Sequence, residues 1–129
     1  MLEKFIPHLI KDLELGDVSL GTGTPGVYSL PLEEGLKITM ADSPNGFILK
    51  CAIAPYPKER EEIFATQALL ANLFGQGTKG AVLGMTTDGN TLTLTQEISY
   101  QVDYKEFMEI LEDFINTVDM WYDETINFK

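Results

Sequence analysis

Two side chains of this 129-residue protein could carry catalytic or metal chemistry and have no second copy: His8 is its one histidine and Cys51 its one cysteine. A histidine works as a base only where a nucleophile and an orienting group converge on it. His8 stands among Lys4, Lys11 and Asp12 on the polar side of an apolar repeat, where a solvated ring is expected. Cys51 alternates with Phe47, Leu49 and Ile53, a pattern that buries a thiol as a small apolar group and does not activate it. One cysteine permits no internal disulfide or thiolate cluster, and one histidine no two-histidine zinc site. The acidic neighbours Glu112-Asp113 and Asp123-Glu124 are adjacent on or after a helix, so they do not converge on one substrate. Gly75-Gln76-Gly77-Thr78-Lys79-Gly80 satisfies GxGxxG in letters. A dinucleotide loop must follow a strand and open a helix, whereas this run follows a helix and opens a strand, so it reads as a connecting loop. No nucleophile, base and oxyanion site assemble, and no catalytic residue, cofactor or metal is expected.

Composition narrows the remaining classes. Nine Lys and Arg against twenty Asp and Glu give a formal charge of −11, which repels a phosphate backbone and argues against nucleic acid as a partner. With 44% hydrophobic and 22% charged residues the chain is of globular type, and its length suits one domain over residues 1–129. No apolar run approaches the roughly 18 residues that span a bilayer, and no leader-like N-terminus is evident, so a cytosolic protein without membrane insertion is expected.

The elements follow from periodicity. Leu2, Phe5, Ile6, Leu9, Ile10 and Leu13 recur at helical steps, with Pro7 requiring a start about one turn before it or a kink. From Val27 the period is two: Tyr28, Leu30 and Leu32, then a turn at Glu33-Glu34-Gly35, then Leu36, Ile38 and Met40. A second turn spans Asp42 to Gly46, with Asn45-Gly46 suited to positive φ, before a third strand through Phe47, Leu49, Cys51 and Ile53. A second helix runs from about Lys58 to Phe74. Ala81, Leu83 and Met85 form a fourth strand, Asp88-Gly89-Asn90 a hairpin turn, and Leu92 to Ile98 a fifth strand. Asp103 and Glu106 have capping-box spacing ahead of a third helix that carries Phe107, Leu111, Phe114, Val118 and Trp121 on one face. The order is α-β-β-β-α-β-β-α, an α+β fold of two layers with a five-stranded antiparallel sheet.

Two features point to contact with other chains. Ile63, Phe64, Ala68, Leu69, Leu70, Leu73 and Phe74 leave the second helix apolar on nearly every side, which demands cover beyond its own sheet. Pro31 cannot donate to a ladder, which marks the first strand as a sheet edge open to an added strand. A small enzyme, a ligand-binding domain or a regulatory domain of the same element order remains the alternative.

The segment from Asn72, NLFGQGTKGAVLGM, followed by an Asp-Gly turn and LTLTQEI, resembles the class I type III secretion chaperones, the Tir-chaperone-like family of Gram-negative pathogens. Asn72, Leu73, Gly80, Leu83 and Gly84 match the family pattern, in which an Ala- and Leu-rich helix ends in Asn-Leu before a Gly-rich loop and a hairpin. The resemblance covers the whole chain in element order and is specific over residues 63–98; Pro7 and the proline-rich lead into the first strand depart from it. It implies a homodimer, or a heterodimer with a second chaperone, joined through the second helix and the following strand. Each dimer would hold a partly unfolded N-terminal segment of a secreted effector and present it to components of the secretion apparatus from the bacterial cytoplasm. The expected dimer interface comprises Ile63, Leu69, Leu70, Leu73, Phe74 and Val82. Phe5 and Leu9 on the first helix, with Tyr28 and Leu30 on the edge strand, are the expected effector contacts.

Overall fold

The computed structural model describes residues 2–13, 21, 26–32, 35–57, 61–74 and 81–127. Helix α1 spans Leu2–Asp12, strands β1, β2 and β3 span Val27–Pro31, Lys37–Ser43 and Gly46–Pro55, and helix α2 spans Glu61–Phe74. Strands β4 (Val82–Met85) and β5 (Thr91–Ser99) precede the long helix α3, Tyr104–Ile126. The order of elements is the one the periodicity predicts. All four strand pairings are antiparallel, in the order β1-β2-β3-β5-β4, so β1 and β4 are the edges.

Register decides which residues meet the helices. Leu30 opposes Ile38, Ile38 opposes Cys51, Cys51 opposes Leu94, and Leu94 opposes Leu83. This row crosses all five strands on one face, and each of its members is buried. Because side chains alternate, Thr39, Lys50 and Thr95 fall on the other face of the same strands. The helices cover the first face. Leu2, Ile6 and Leu9 of α1 are buried there, as are Phe107, Leu111, Phe114, Val118 and Trp121 of α3. Edge-to-face rings seal the junction: Phe47 of β3 packs 5.9 Å from Phe5 and 5.8 Å from Phe107.

The capping box opens α3 as the spacing predicts. The Asp103 carboxylate accepts from the Glu106 N–H at 2.8 Å, and Glu106 Oε1 accepts from the Asp103 N–H at 3.4 Å. Pro7 lies inside α1, more than one turn from its start, with its ring on the exposed side.

One expectation changes. Asn45-Gly46 is read from the sequence as suited to positive φ, but Gly46 does not have it; among the described residues the glycines with positive φ are Gly26, Gly35 and Gly89. Ser43 pairs with Gly46, which leaves Pro44 and Asn45 as the connection and makes Gly46 the first residue of β3. Gly46 is required for another reason: a Cβ there would sit 1.8 Å from the carbonyl oxygen of Ile98. Helix α2 is described from Glu61, and the expected start near Lys58 lies outside the described residues.

Candidate protein-interaction surfaces

Neither lone reactive residue is placed for catalysis. His8 is exposed on α1, its ring 5.3 Å from that of Tyr104. Cys51 is 1% exposed inside the sheet–helix core, and burial pushes its thiol up from 9.0 to about 11, so no thiolate nucleophile is offered. Among the described residues no group of three or more His, Cys, Asp or Glu is placed to hold a metal ion, and no helix is long and apolar enough to cross a membrane. The Gly75–Gly80 run lies outside the described residues.

Among the described residues, five of the seven large apolar side chains that stand exposed belong to α2 and β4. Phe64 and Ala68 point inward, with the Phe64 ring between Tyr56 at 5.3 Å and Trp121 at 6.1 Å. At 100° per residue, the opposite half of the helix presents Leu69, Leu70 and Ile63. Leu69 is 66% exposed and Leu70 and Ile63 nearly half exposed. On the adjoining edge strand Val82 is 57% and Met85 49% exposed. Between helix and strand runs a cleft of about 200 Å³, walled by Ala65, Leu69, Gly84 and Met85 and floored by Leu83 and Leu92. Four of the six expected interface residues, Ile63, Leu69, Leu70 and Val82, are therefore exposed, but not on one face: Leu69 walls the cleft, Ile63 and Leu70 stand elsewhere on α2, and Val82 opposes Thr95, which puts it on the sheet face away from the helices. The side chains of Leu73 and Phe74 lie outside the described residues. Met85 was not anticipated, because in an alternating strand it reads as inward-facing; at the end of the edge strand α2 does not reach over it.

The second expected surface divides. Leu9 and Leu30 are 0% and 1% exposed, so both belong to the core between α1 and the sheet and are not surface anchors. The strand alternation that turns Leu30 inward also turns it away from any partner approaching from solvent. Phe5 and Tyr28 remain half-buried at the rim of that core.

The edge of β1 has a particular hydrogen-bonding character. The Gly26 carbonyl accepts from the Asp42 N–H, and the Leu32 N–H donates to the Leu36 carbonyl. By antiparallel alternation the main-chain groups of residues 26, 28, 30 and 32 face β2, while those of Val27, Ser29 and Pro31 face away from it. The missing N–H of Pro31 thus falls on the outward side, where it breaks no ladder bond. Among the described residues an antiparallel bridge joins Tyr28 to Gly21, so the chain itself touches this edge there.

Known proteins and one protein family resemble this chain over nearly its whole length. A protein of Chlamydia pneumoniae, CPj0713/CpB0740, is 27% identical over 123 residues, 94% of this chain and 93% of that protein. The fold matches a chain of the ExsC–ExsE complex with a TM-score of 0.76 at 16% identity, covering 96% of this chain and 92% of the other. It also matches a chain of the heterodimeric ExoU–SpcU complex from the type III secretion system of Pseudomonas aeruginosa, with a TM-score of 0.67 at 15% identity over 98% and 95% of the two chains. YbjN from E. coli, a transcription-regulator candidate, shares the fold with a TM-score of 0.66 at 17% identity, over 96% and 90%. Residues 4–122 match the sequence model of the Tir chaperone protein (CesT) family, which takes in all the elements that form the α2–β4 surface and the β1 edge, and the chain belongs to that family.

Proposed function

We propose that this protein is a dimeric chaperone for an effector of a type III secretion system. Two copies, or one copy and a second chaperone, join through the α2–β4 surface. The assembly holds an N-terminal effector segment, partly unfolded and soluble, in the bacterial cytoplasm and delivers it to the secretion apparatus. The observation that carries the reading is the concentration of exposed large apolar residues on α2 and β4: Ile63, Leu69 and Leu70 on the helix and Val82 and Met85 on the edge strand, with Leu69 and Met85 lining the cleft between the two elements. A chain of −11 net charge that leaves five large apolar residues exposed on two neighbouring elements has a region suited to a partner rather than to solvent. Membership of the Tir chaperone protein family and the likeness to a chain of the ExoU–SpcU complex support the same reading.

The effector contact falls on the β1 edge. Its outward carbonyls at Ser29 and Pro31 accept from an added strand, while Phe5 and Tyr28 supply apolar contact at the rim. Addition over Tyr28 displaces the Gly21 bridge, because both occupy the same side of the strand.

Light scattering after size exclusion, followed by hydrogen exchange with a secreted effector fragment, tests this. The expected result is a mass of two 14.4 kDa subunits, or of one subunit with a second chaperone, and protection at residues 27–31 and in α1 when the fragment binds. Protection confined to α3 removes the β1 site. The shared fold of YbjN favours a second reading, a regulatory domain that binds a folded partner. That reading predicts binding to an intact folded protein with no protection at residues 27–31.

A further inference from the structure

We infer that the groove between the end of α1 and the first half of α3 is a docking site for a basic amphipathic segment of another protein, apart from both surfaces described above. Leu13, Tyr104 and Met108 form its partly buried apolar floor, and Asp12, Glu109 and Glu112 stand exposed around it, enclosing about 480 Å³. Its wall is fixed. The Tyr104 hydroxyl donates to Asp12 Oδ2 at 2.8 Å, and the Tyr104 ring lies 5.5 Å from Phe5 and 5.3 Å from His8, so α1 and α3 are clamped along the groove. Burial, then the hydrogen bond to Asp12 and its charge, hold the phenol above its ordinary 10.0, which keeps the donor protonated at neutral pH.

Charge complementarity selects the occupant. Among the described residues three carboxylates face one cation, Lys105, and Lys105 is four residues from Glu109 on the same helix, the spacing of an intrahelical pair. The groove is therefore net negative with an apolar base. Leucine-sized side chains fit on Leu13 and Met108, Met108 adapting its shape to them, while Lys or Arg on the flanks meet Glu109, Glu112 and Asp12. This inference does not depend on the chaperone reading, since neither the α2–β4 surface nor the β1 edge contributes a residue.

The test uses a fluorescein-labelled synthetic peptide with Leu and Lys at helical spacing, titrated with the full chain and read by anisotropy and by amide chemical shifts. The expected shifts fall at residues 12–13 and 104–112, and affinity drops at high salt. Glu109→Gln with Glu112→Gln weakens binding about tenfold, the effect of losing two exposed ion pairs of ordinary strength. Met108→Ala weakens it by a similar factor without changing the salt dependence. The control Asp123→Asn with Glu124→Gln removes the same two charges from the far end of α3 and leaves affinity within about twofold. Equal losses in the two double variants, or shifts concentrated at residues 27–31 or 61–70, overturn the inference.

Discussion

The carbonyl oxygen of Ile98 occupies the space that a side chain on Gly46 would need, 1.8 Å from the ideal Cβ position. The obstruction is backbone where the β3–β5 pairing begins, so it cannot turn aside as a side chain would. Gly46→Ala must push the strands apart, and its thermal unfolding is expected to show a loss of about 3 kcal/mol, the upper part of the overpacking range. Gly84→Ala is the contrast. Its Cβ meets only the Thr93 Oγ1 at 3.5 Å, an ordinary contact, and stability should stay within about 0.5 kcal/mol. Equal losses at the two positions would contradict the packing described.

The α2 surface separates assembly from folding. Leu69 and Val82 are more than half exposed, so Leu69→Asp or Val82→Asp should leave the monomer folded, with circular dichroism unchanged, while shifting the mass from dimer to monomer. Phe64→Asp places a charge at a fully buried site and should abolish the fold itself. A dimer that survives both surface changes would move the interface elsewhere.

Cys51 sets an alkaline limit. Its folded pKa lies above its unfolded value, 9.0 rising to about 11, so the unfolded chain loses this proton first as pH rises. The contribution is complete below pH 9 and fades between 9 and 11. Urea unfolding across that range should show falling stability. Cys51→Ala should show a shallower fall and a pH-independent cost of about 1 kcal/mol. At pH 8 a disulfide reagent should label the native thiol at least about a hundredfold more slowly than the unfolded one, because access requires opening of the core.

The Asp103 cap is separable from packing. Asp103 is exposed and its carboxylate serves the Glu106 N–H, so Asp103→Ala should cost about 1 kcal/mol in thermal stability and fray the first turn of α3. Asp103→Ser should recover most of it. An unchanged melting temperature for the alanine variant would show that the ring packing of Phe107 and Phe5 alone holds that end.

Residues whose structural meaning is local were legible from the chain alone. Alternation in Leu30, Ile38, Cys51 and Leu94 determines an inward face whatever lies opposite, because the strand period is two. The Asp103–Glu106 spacing determines a helix start through two bonds made within one turn. Pro31 determines an edge because it removes a donor that an inner strand would need. Tertiary structure alone decided the rest. Whether an apolar residue of α2 is core or surface depends on how far the sheet extends beneath it: Phe64 and Leu69 have the same composition-level signal, and only the position of β4 and Trp121 buries one and leaves the other open. Leu9 and Leu30 read equally well as anchors or as core until α1 is laid on the sheet. Gly46 is explained by a carbonyl more than fifty residues away, and the acidic groove exists because Tyr104 reaches Asp12 across the α1–α3 seam. These are distances between segments remote in sequence, and no local period encodes them.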